Sequence, residues 1–265
     1  MMSARVLFSA STTFALLNGC ATSVDTAALG TIEVITLRHS YNNSHLVRRG
    51  DRAFLVDAGK PEDAPALLES IRAAGTDPAT LAAVIITHGH ADHVGAVPAL
   101  QKLGVKVVVG KGDAAMVGRG SNDALCPTSF IARQRHEDDE KLPFEPFKPD
   151  VLVDGPLALE PLTGIPGWID PLAGHTEGSL VVNVGESADR AAVSVTLVGD
   201  LVRGAIGGPG AEVHFYMCDL ADNRRDISAL LTSLAPNAQH VFPGHFGPLD
   251  REDLEDVLSD LPESN

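Results

Sequence analysis

Thr87-His88-Gly89-His90-Ala91-Asp92-His93 places three imidazoles and a carboxylate within six residues. Directly before it runs Ala82-Ala83-Val84-Ile85-Ile86, an apolar stretch with the length and β-branched content of a buried strand. A donor-rich loop leaving a strand end lets His88 and His90 face one centre while Asp92 and His93 face another. Donors packed this densely lose their hydration on burial, which is costly unless a cation is present. Zinc favours imidazole nitrogen and carboxylate oxygen, and a catalytic zinc keeps one coordination position open. Gly89 and Ala91 are small enough to leave space around the donors.

Working outward, three more apolar runs end in a residue of ligand type. His175 lies in Leu172-Ala173-Gly174-His175-Thr176, Asp200 closes Leu197-Val198-Gly199-Asp200, and His245 follows Val241-Phe242-Pro243-Gly244. A glycine precedes each of them, as expected where backbone turns sharply and comes close to a packed centre. Asp57, in Val56-Asp57-Ala58-Gly59, and Thr87 at the foot of the histidine loop are candidates to hold that loop by hydrogen bonds. A plain turn aspartate is the alternative for Asp57.

Between these segments the pattern alternates short β-like runs with helices. Strands are expected at Thr31–Leu37, Ser44–Arg48, Ala53–Val56, Ala82–Thr87, Val105–Val109, Val151–Val153, Leu157–Leu159, Ser179–Val184, Val193–Val198 and His240–Phe242. Helices are expected from Pro61 to Ala74, at Val94–Leu103, around Leu220–Leu234 and at Arg251–Leu261. Residues 110–150 read as irregular, with Glu137-Asp138-Asp139-Glu140 on a solvated face. This is an α+β pattern, two sheets covered by helices in one domain.

In their order, His-x-His-x-Asp-His, Gly-His-Thr, Gly-Asp and Gly-His resemble the metallo-β-lactamase-like hydrolase superfamily over about residues 31–250. The resemblance implies a four-layer αββα sandwich with metals at one edge between the sheets. Residue by residue it implies one zinc on His88, His90 and His175, a second on Asp92, His93 and His245, and Asp200 bridging the two. Iron or manganese are the alternative metals. A hydroxide between the ions would attack the substrate, with Asp92 as the catalytic group that orients it or passes on its proton.

The family cleaves β-lactams, thioesters, lactones and phosphodiesters on one scaffold, so fold does not choose the substrate. Asp200 stands where several zinc β-lactamases carry a cysteine or another non-bridging residue. Leu201-Val202-Arg203 follow it, where quorum-signal lactonases often place a tyrosine. The first expectation is therefore hydrolysis of a small-molecule carboxylic ester, lactone, thioester or amide. β-Lactam hydrolysis comes second and phosphodiester hydrolysis third. Outside hydrolysis, a mononuclear iron oxygenase resembling persulfide dioxygenases is the competing class. A non-catalytic envelope module with a structural metal is disfavoured by the complete donor set.

The chain has 265 residues, 44% hydrophobic and 21% charged, and a formal charge of −15, a balance that repels nucleic acid. His39, His45, His136, His214 and His240 match no ligand segment and are expected to be structural or exposed. His214 and Tyr216 are nonetheless candidates to line the substrate cleft, and Arg203 to hold an anionic group. Cys126 and Cys218 can pair in an oxidising compartment, but two unpaired, partly buried thiols are the simpler expectation.

Residues 1–19 combine Arg5 with a short apolar stretch, too brief for a permanent span. Leu17-Asn18-Gly19-Cys20 resembles a bacterial lipoprotein cleavage site, which implies lipid on Cys20 and a periplasm-facing envelope location, with secreted or cytoplasmic forms as alternatives. The expected organisation is a signal peptide at 1–19, a small polar tether at 20–30 and the hydrolase domain at 31–265. The lipid at Cys20 is the only membrane contact expected.

Overall fold

In the strands, neighbouring residues point to opposite faces, and here both faces are apolar. Leu46 and Val47, Phe54 and Leu55, and Val84 and Ile85 are adjacent pairs, all buried, whose members belong to different cores. A sheet buried on both faces must lie between two other layers. The computed structural model describes residues 22–262 and has that arrangement. The expected signal peptide and Cys20 lie outside the described residues.

The first sheet contains β1 (Thr22–Leu29), β2 (Ile32–His39), β3 (Asn42–Arg49), β4 (Arg52–Val56), β5 (Ala83–Ile85), β6 (Lys106–Gly110) and β7 (Val151–Val153) in that spatial order. Its first four strands form an antiparallel meander, and β4 to β7 run parallel. Helices supply the crossovers: α1 (Ala64–Ala73), then α2 (Ala91–Val94) and α3 (Val97–Lys102), then α4 (Ala114–Arg119) and α5 (Phe130–Glu140).

The second sheet is built from β8 (Leu157–Ala158), which α6 (Glu160–Thr163) links to β9 (Gly167–Pro171), with β10 (Leu180–Gly185) and β11 (Val193–Gly199) beyond. A two-stranded ribbon of β12 (Arg203–Gly204) and β13 (Ala211–Glu212) and helix α7 (Leu220–Ala229) then lead to β14 (His240–Pro243), β15 (Leu249–Asp250) and α8 (Arg251–Asp260). Its spatial order is β15-β14-β11-β10-β9-β8, with β14 parallel to β11.

Three apolar layers separate the four. Leu37, Leu46, Leu55 and Val107 pack against Leu67 and Ile71 of α1 and Val97 and Leu100 of α3. Val47, Phe54, Val56 and Val108 meet Ile169, Val182, Val195 and Phe242 between the sheets. Val181, Val193 and Val241 are covered by Ile227 of α7 and Leu254 and Val257 of α8. This is the expected αββα sandwich.

The details correct three expectations. The stretch 20–30 is not a free tether, because Thr22–Leu29 pairs with β2 along its whole length, from Thr22 opposite His39 to Leu29 opposite Ile32. An edge strand needs little apolar content: Ala27 is buried while Val24, Asp25, Thr26 and Ala28 stay exposed. The region 110–150 is not irregular, since α4 and α5 occupy much of it and Ser129 caps α5 through Ala132 N–H. Cys126 and Cys218 are not free thiols but form a disulfide, with Cα atoms 4.9 Å apart. Their separation of 92 residues hid this proximity.

Phe54 is fully buried between the sheets. Phe54→Ala is expected to lower unfolding stability by about 3–5 kcal/mol in urea denaturation. Phe130→Ala, at a side chain 71% exposed, is expected to change it by no more than about 0.5 kcal/mol.

Candidate metal centre

Loops leaving the C-terminal ends of β5, β9, β11 and β14 meet where the two sheets adjoin. They carry His88–His93, His175, Asp200 and His245 respectively. A backbone bond from Leu180 N–H to Thr87 O at 2.7 Å ties the sheets together at this edge. Asn43 adds a clamp from β3, donating its side-chain amide to Pro243 O at 2.9 Å and to Phe246 O at 2.7 Å beside His245.

Glycine is required at two of these turns. A Cβ on Gly244 would sit 2.4 Å from Asp200 Oδ1, and one on Gly199 would sit 2.5 Å from Thr87 Oγ1. The close approach expected from the sequence is therefore a packing demand between the donor loops themselves.

Asp57 has φ 61°, a left-handed conformation that aspartate tolerates better than most residues. From there Oδ1 accepts Thr87 N–H at 2.7 Å, both oxygens accept the Thr87 hydroxyl, and Oδ2 lies 2.9 Å from His93 Nδ1. Asp57 and Thr87 thus hold the histidine loop, as the sequence suggested, and Asp57 is no plain turn residue.

The donor atoms converge on Asp200. Its Oδ2 lies 3.6 Å from His88 Nε2, 3.5 Å from His93 Nε2, 3.8 Å from His175 Nε2 and 3.2 Å from His245 Nε2. Asp92 reaches the same cluster, with Oδ2 3.6 Å from His245 Nε2 and Oδ1 3.9 Å from His93 Nε2. His90 Nδ1 faces His175 Nε2 at 3.2 Å. Sets of donors that could hold an ion are His88 with His90 and His175, Asp92 with His93 and His245, and His88 with His93 and Asp200.

Several of these atoms lack any hydrogen-bond partner although buried, among them His88 Nε2, His175 Nδ1 and Asp200 Oδ1. Leaving buried polar atoms unpaired costs about 1–3 kcal/mol each. Each neutral imidazole brings a single N–H, and in this arrangement His88 Nε2 and Asp200 Oδ1 find no partner, a deficit that a bound cation would relieve. The residues fit a metal.

The electrostatics divide the histidines into two groups. Burial holds His88 well below the usual imidazole range, and brings His90 down to about 4 and His175 to about 3, the neutral form that binds metals. Burial also opposes charge on His93 and His245, but Asp200, aided by Asp57 and Asp92 at His93 and by Asp92 at His245, raises both. Burial works against ionised Asp200 as well, yet His214, His245, His93 and His88 outweigh it and keep its carboxyl well below its ordinary range.

Above the donors opens a cavity of about 220 Å³ lined by Tyr41, Leu125, Ile131, Phe215, Tyr216 and Phe246 among others, with Asp92, Asp200, His214 and His245 at its polar end. His214 and Tyr216 are at the cleft, as proposed from their loop position. Arg203 is not: its guanidinium pairs with Glu212 and lies 4.0 Å over the Phe215 ring, away from the cavity lining. The guanidinium that does line the cavity is Arg135 of α5, and it is paired with Asp139 at 3.1 Å.

Two supporting residues escaped sequence reasoning. Asn42 donates to Asp92 Oδ2 and to Asp92 O, both at 3.0 Å. Asp113 accepts Gly89 N–H at 2.7 Å, the Thr176 hydroxyl at 2.8 Å and Gly178 N–H at 2.9 Å, joining the loop of His88 and His90 to that of His175. The signal available was Gly110-Lys111-Gly112-Asp113 after a buried strand, a pattern shared by ordinary turns.

Asp113→Asn must turn an amide toward at least one of these N–H donors. It is expected to weaken zinc binding by about 10–100-fold in competition with a chromogenic chelator, the range for residues that orient ligands.

The family model that matches residues 37–245 is described as the metallo-beta-lactamase superfamily. Solved structures agree in fold. A HARLDQ-motif metallo-beta-lactamase mutant from Cronobacter sakazakii is 19% identical with a TM-score of 0.65, over 86% of this chain and 88% of that one. MIM-1 from Novosphingobium pentaromativorans is 16% identical with a TM-score of 0.61, over 89% and 85%. BJP-1, a subclass B3 metallo-beta-lactamase of Bradyrhizobium japonicum, is 15% identical with a TM-score of 0.61, over 86% and 87%. With the family's model spanning most of its length and its histidine and aspartate segments gathered at one sheet edge, this chain belongs to the metallo-beta-lactamase superfamily of metal-dependent hydrolases.

Proposed function

We propose that this protein is a binuclear zinc hydrolase of a small, largely apolar carboxylic ester, lactone, thioester or amide. The observation that carries the reading is the placement of the converged donor set at the polar end of an apolar cavity. His88, His90 and His175 would hold one ion, Asp92, His93 and His245 the other, with Asp200 between them. The chemistry supplied by such ions is Lewis acidity, which makes water nucleophilic near neutral pH and polarises a carbonyl oxygen.

The chain's own residues do the rest. Asp92 is 24% exposed at its side chain, against 3% or less for His93, His245 and Asp200. Asn42 anchors its Oδ2, which leaves Oδ1 free to accept a proton from an attacking water. Tyr41, Ile131, Phe215 and Phe246 exclude bulk water and hold the apolar part of the substrate. Arg135 is compensated by Asp139, to which Tyr216 also donates at 2.6 Å, so among the described residues the cavity lining presents no unpaired guanidinium or ammonium. β-Lactam hydrolysis is the second reading, supported by the likeness to proteins named as metallo-beta-lactamases.

The disulfide between Cys126 and Cys218 supports an exported, envelope-side protein, since such bonds persist in oxidising compartments. On this reading Cys20 carries the lipid, and Cys20→Ala is expected to abolish labelling by a fatty-acid analogue in a bacterial host. Labelling that survives the substitution overturns the anchor.

For the reaction, protein purified without chelator is expected to contain about two zinc ions per chain. Of an aryl ester, a thioester, a homoserine lactone, a chromogenic cephalosporin and an aryl phosphodiester, one of the first three is expected to be the best substrate. Asp200→Ala is expected to lower its turnover by at least about a hundredfold. A preference for the cephalosporin moves the second reading to first place. One iron per chain, with oxygen uptake and no hydrolysis, overturns the hydrolase.

A further inference from the structure

We propose that His214 is a further metal ligand, its Nε2 forming a donor set with His175 and Asp200 beside the seven residues of the family pattern. The proposal rests on reading the cluster as a metal centre. His214 is buried on the segment after β13, and its Nε2 lies 3.0 Å from Asp200 Oδ2. That is nearer than any of the four family-pattern imidazoles gathered at the same oxygen, the next being His245 at 3.2 Å. Its ring is 4.9 Å from that of His175 and stacks 5.2 Å from that of His245, so it is seated between the two halves of the site. The donor atoms of His175, Asp200 and His214 all lie within 4.8 Å of one another.

The two ring nitrogens are used as a ligand histidine uses them. Metal-binding histidines donate the nitrogen that does not bind to a carbonyl or carboxylate, which fixes the tautomer and leaves the other lone pair bare. His245 has Nδ1 3.1 Å from Tyr41 O, and His93 has Nδ1 2.9 Å from Asp57 Oδ2. His214 has Nδ1 3.3 Å from Tyr216 O, while its Nε2 is buried and, despite its proximity to Asp200, has no hydrogen bond. The buried non-ligand His45 is the contrast: Nδ1 meets Thr36 Oγ1 and Nε2 meets Pro243 O, both at 3.1 Å, with nothing left over.

The ring is also held in place from behind. The Thr128 hydroxyl donates to His214 O at 2.7 Å, and Thr128 N–H donates to Phe215 O at 2.8 Å. Met217 N–H donates to Cys126 O at 2.8 Å, beside the disulfide that joins Cys126 to Cys218. These bonds fix the backbone on both sides of the imidazole. The competing role is set by the Tyr216 N–H, which also lies 3.3 Å from Nδ1. If it donates there, Nε2 carries the hydrogen and His214 serves only as a donor to Asp200.

The test is cobalt titration of the metal-free full-length protein, following visible absorption and binding heat for wild type, His214→Ala and His214→Gln. Glutamine keeps a hydrogen-bond donor toward Asp200 but is a poor metal ligand. If His214 is a ligand, both variants lose at least about tenfold in affinity at one binding step and their cobalt bands change. Circular-dichroism melts of the metal-free proteins establish that each variant folds, and should alanine fail to, glutamine carries the comparison. Wild-type affinity and bands in His214→Gln overturn the proposal, whatever His214→Ala does. Failure of the wild type itself to bind cobalt or zinc instead overturns the metal-centre reading beneath it.

Discussion

Removing the Asp200 carboxylate from water costs several kcal/mol unless opposite charge and hydrogen-bond partners replace the lost hydration, of order that for any buried ion. Here its Oδ2 is surrounded by imidazole nitrogens from His88, His93, His175, His214 and His245, delivered by loops of both sheets. In this arrangement His88 Nε2, His214 Nε2 and Asp200 Oδ1 are buried without hydrogen-bond partners. A bound cation would relieve that deficit, and the close packing of the donors constrains the chain around them. Gly199 and Gly244 admit no side chain because a Cβ there would collide with Thr87 and Asp200.

The layer of polar residues behind the donors is as structured as the centre. Asp57 reaches Thr87 and His93, Asp113 links the loops of Gly89 and Gly178, and Asn42 and Asn43 connect β3 to Asp92 and to the His245 loop. Each bond crosses between segments distant in sequence. Because the two sheets share a continuous apolar interior from Phe54 to Val182, they cannot slide without exposing it, and the donors stay in register. Packing energy spread over the sandwich thereby maintains a local geometry that is unfavourable on its own.

Above the donors the molecule supplies a different environment. The cavity walls come from the segment around α5 and from the loop after β13, joined by Cys126–Cys218 and by backbone bonds at Thr128 and Met217. Arg135, Asp139 and Tyr216 compensate one another there. Charged side chains are concentrated at the floor and apolar surface at the walls.

The sequence by itself determined the sandwich and most of the donor set. Ala82–Ile86 reads as a buried strand with His88, His90, Asp92 and His93 in the loop that leaves it, and His175, Asp200 and His245 each end a further apolar run, a signal confined to a few consecutive residues. Residues whose roles depend on distant partners were not legible. Thr22–Leu29 has the composition of a tether and is a strand only because β2 offers it an edge. Cys126 and Cys218 pair, and Asp113 and Asn42 support the donor loops, through contacts between segments far apart in sequence, while Arg203 turns to Glu212 across the β12–β13 ribbon. His214 stands in no ligand motif, yet the tertiary structure sets it at the centre. Periodicity and short motifs are local properties of a chain, whereas the direction in which a loop side chain points is decided by what packs against it.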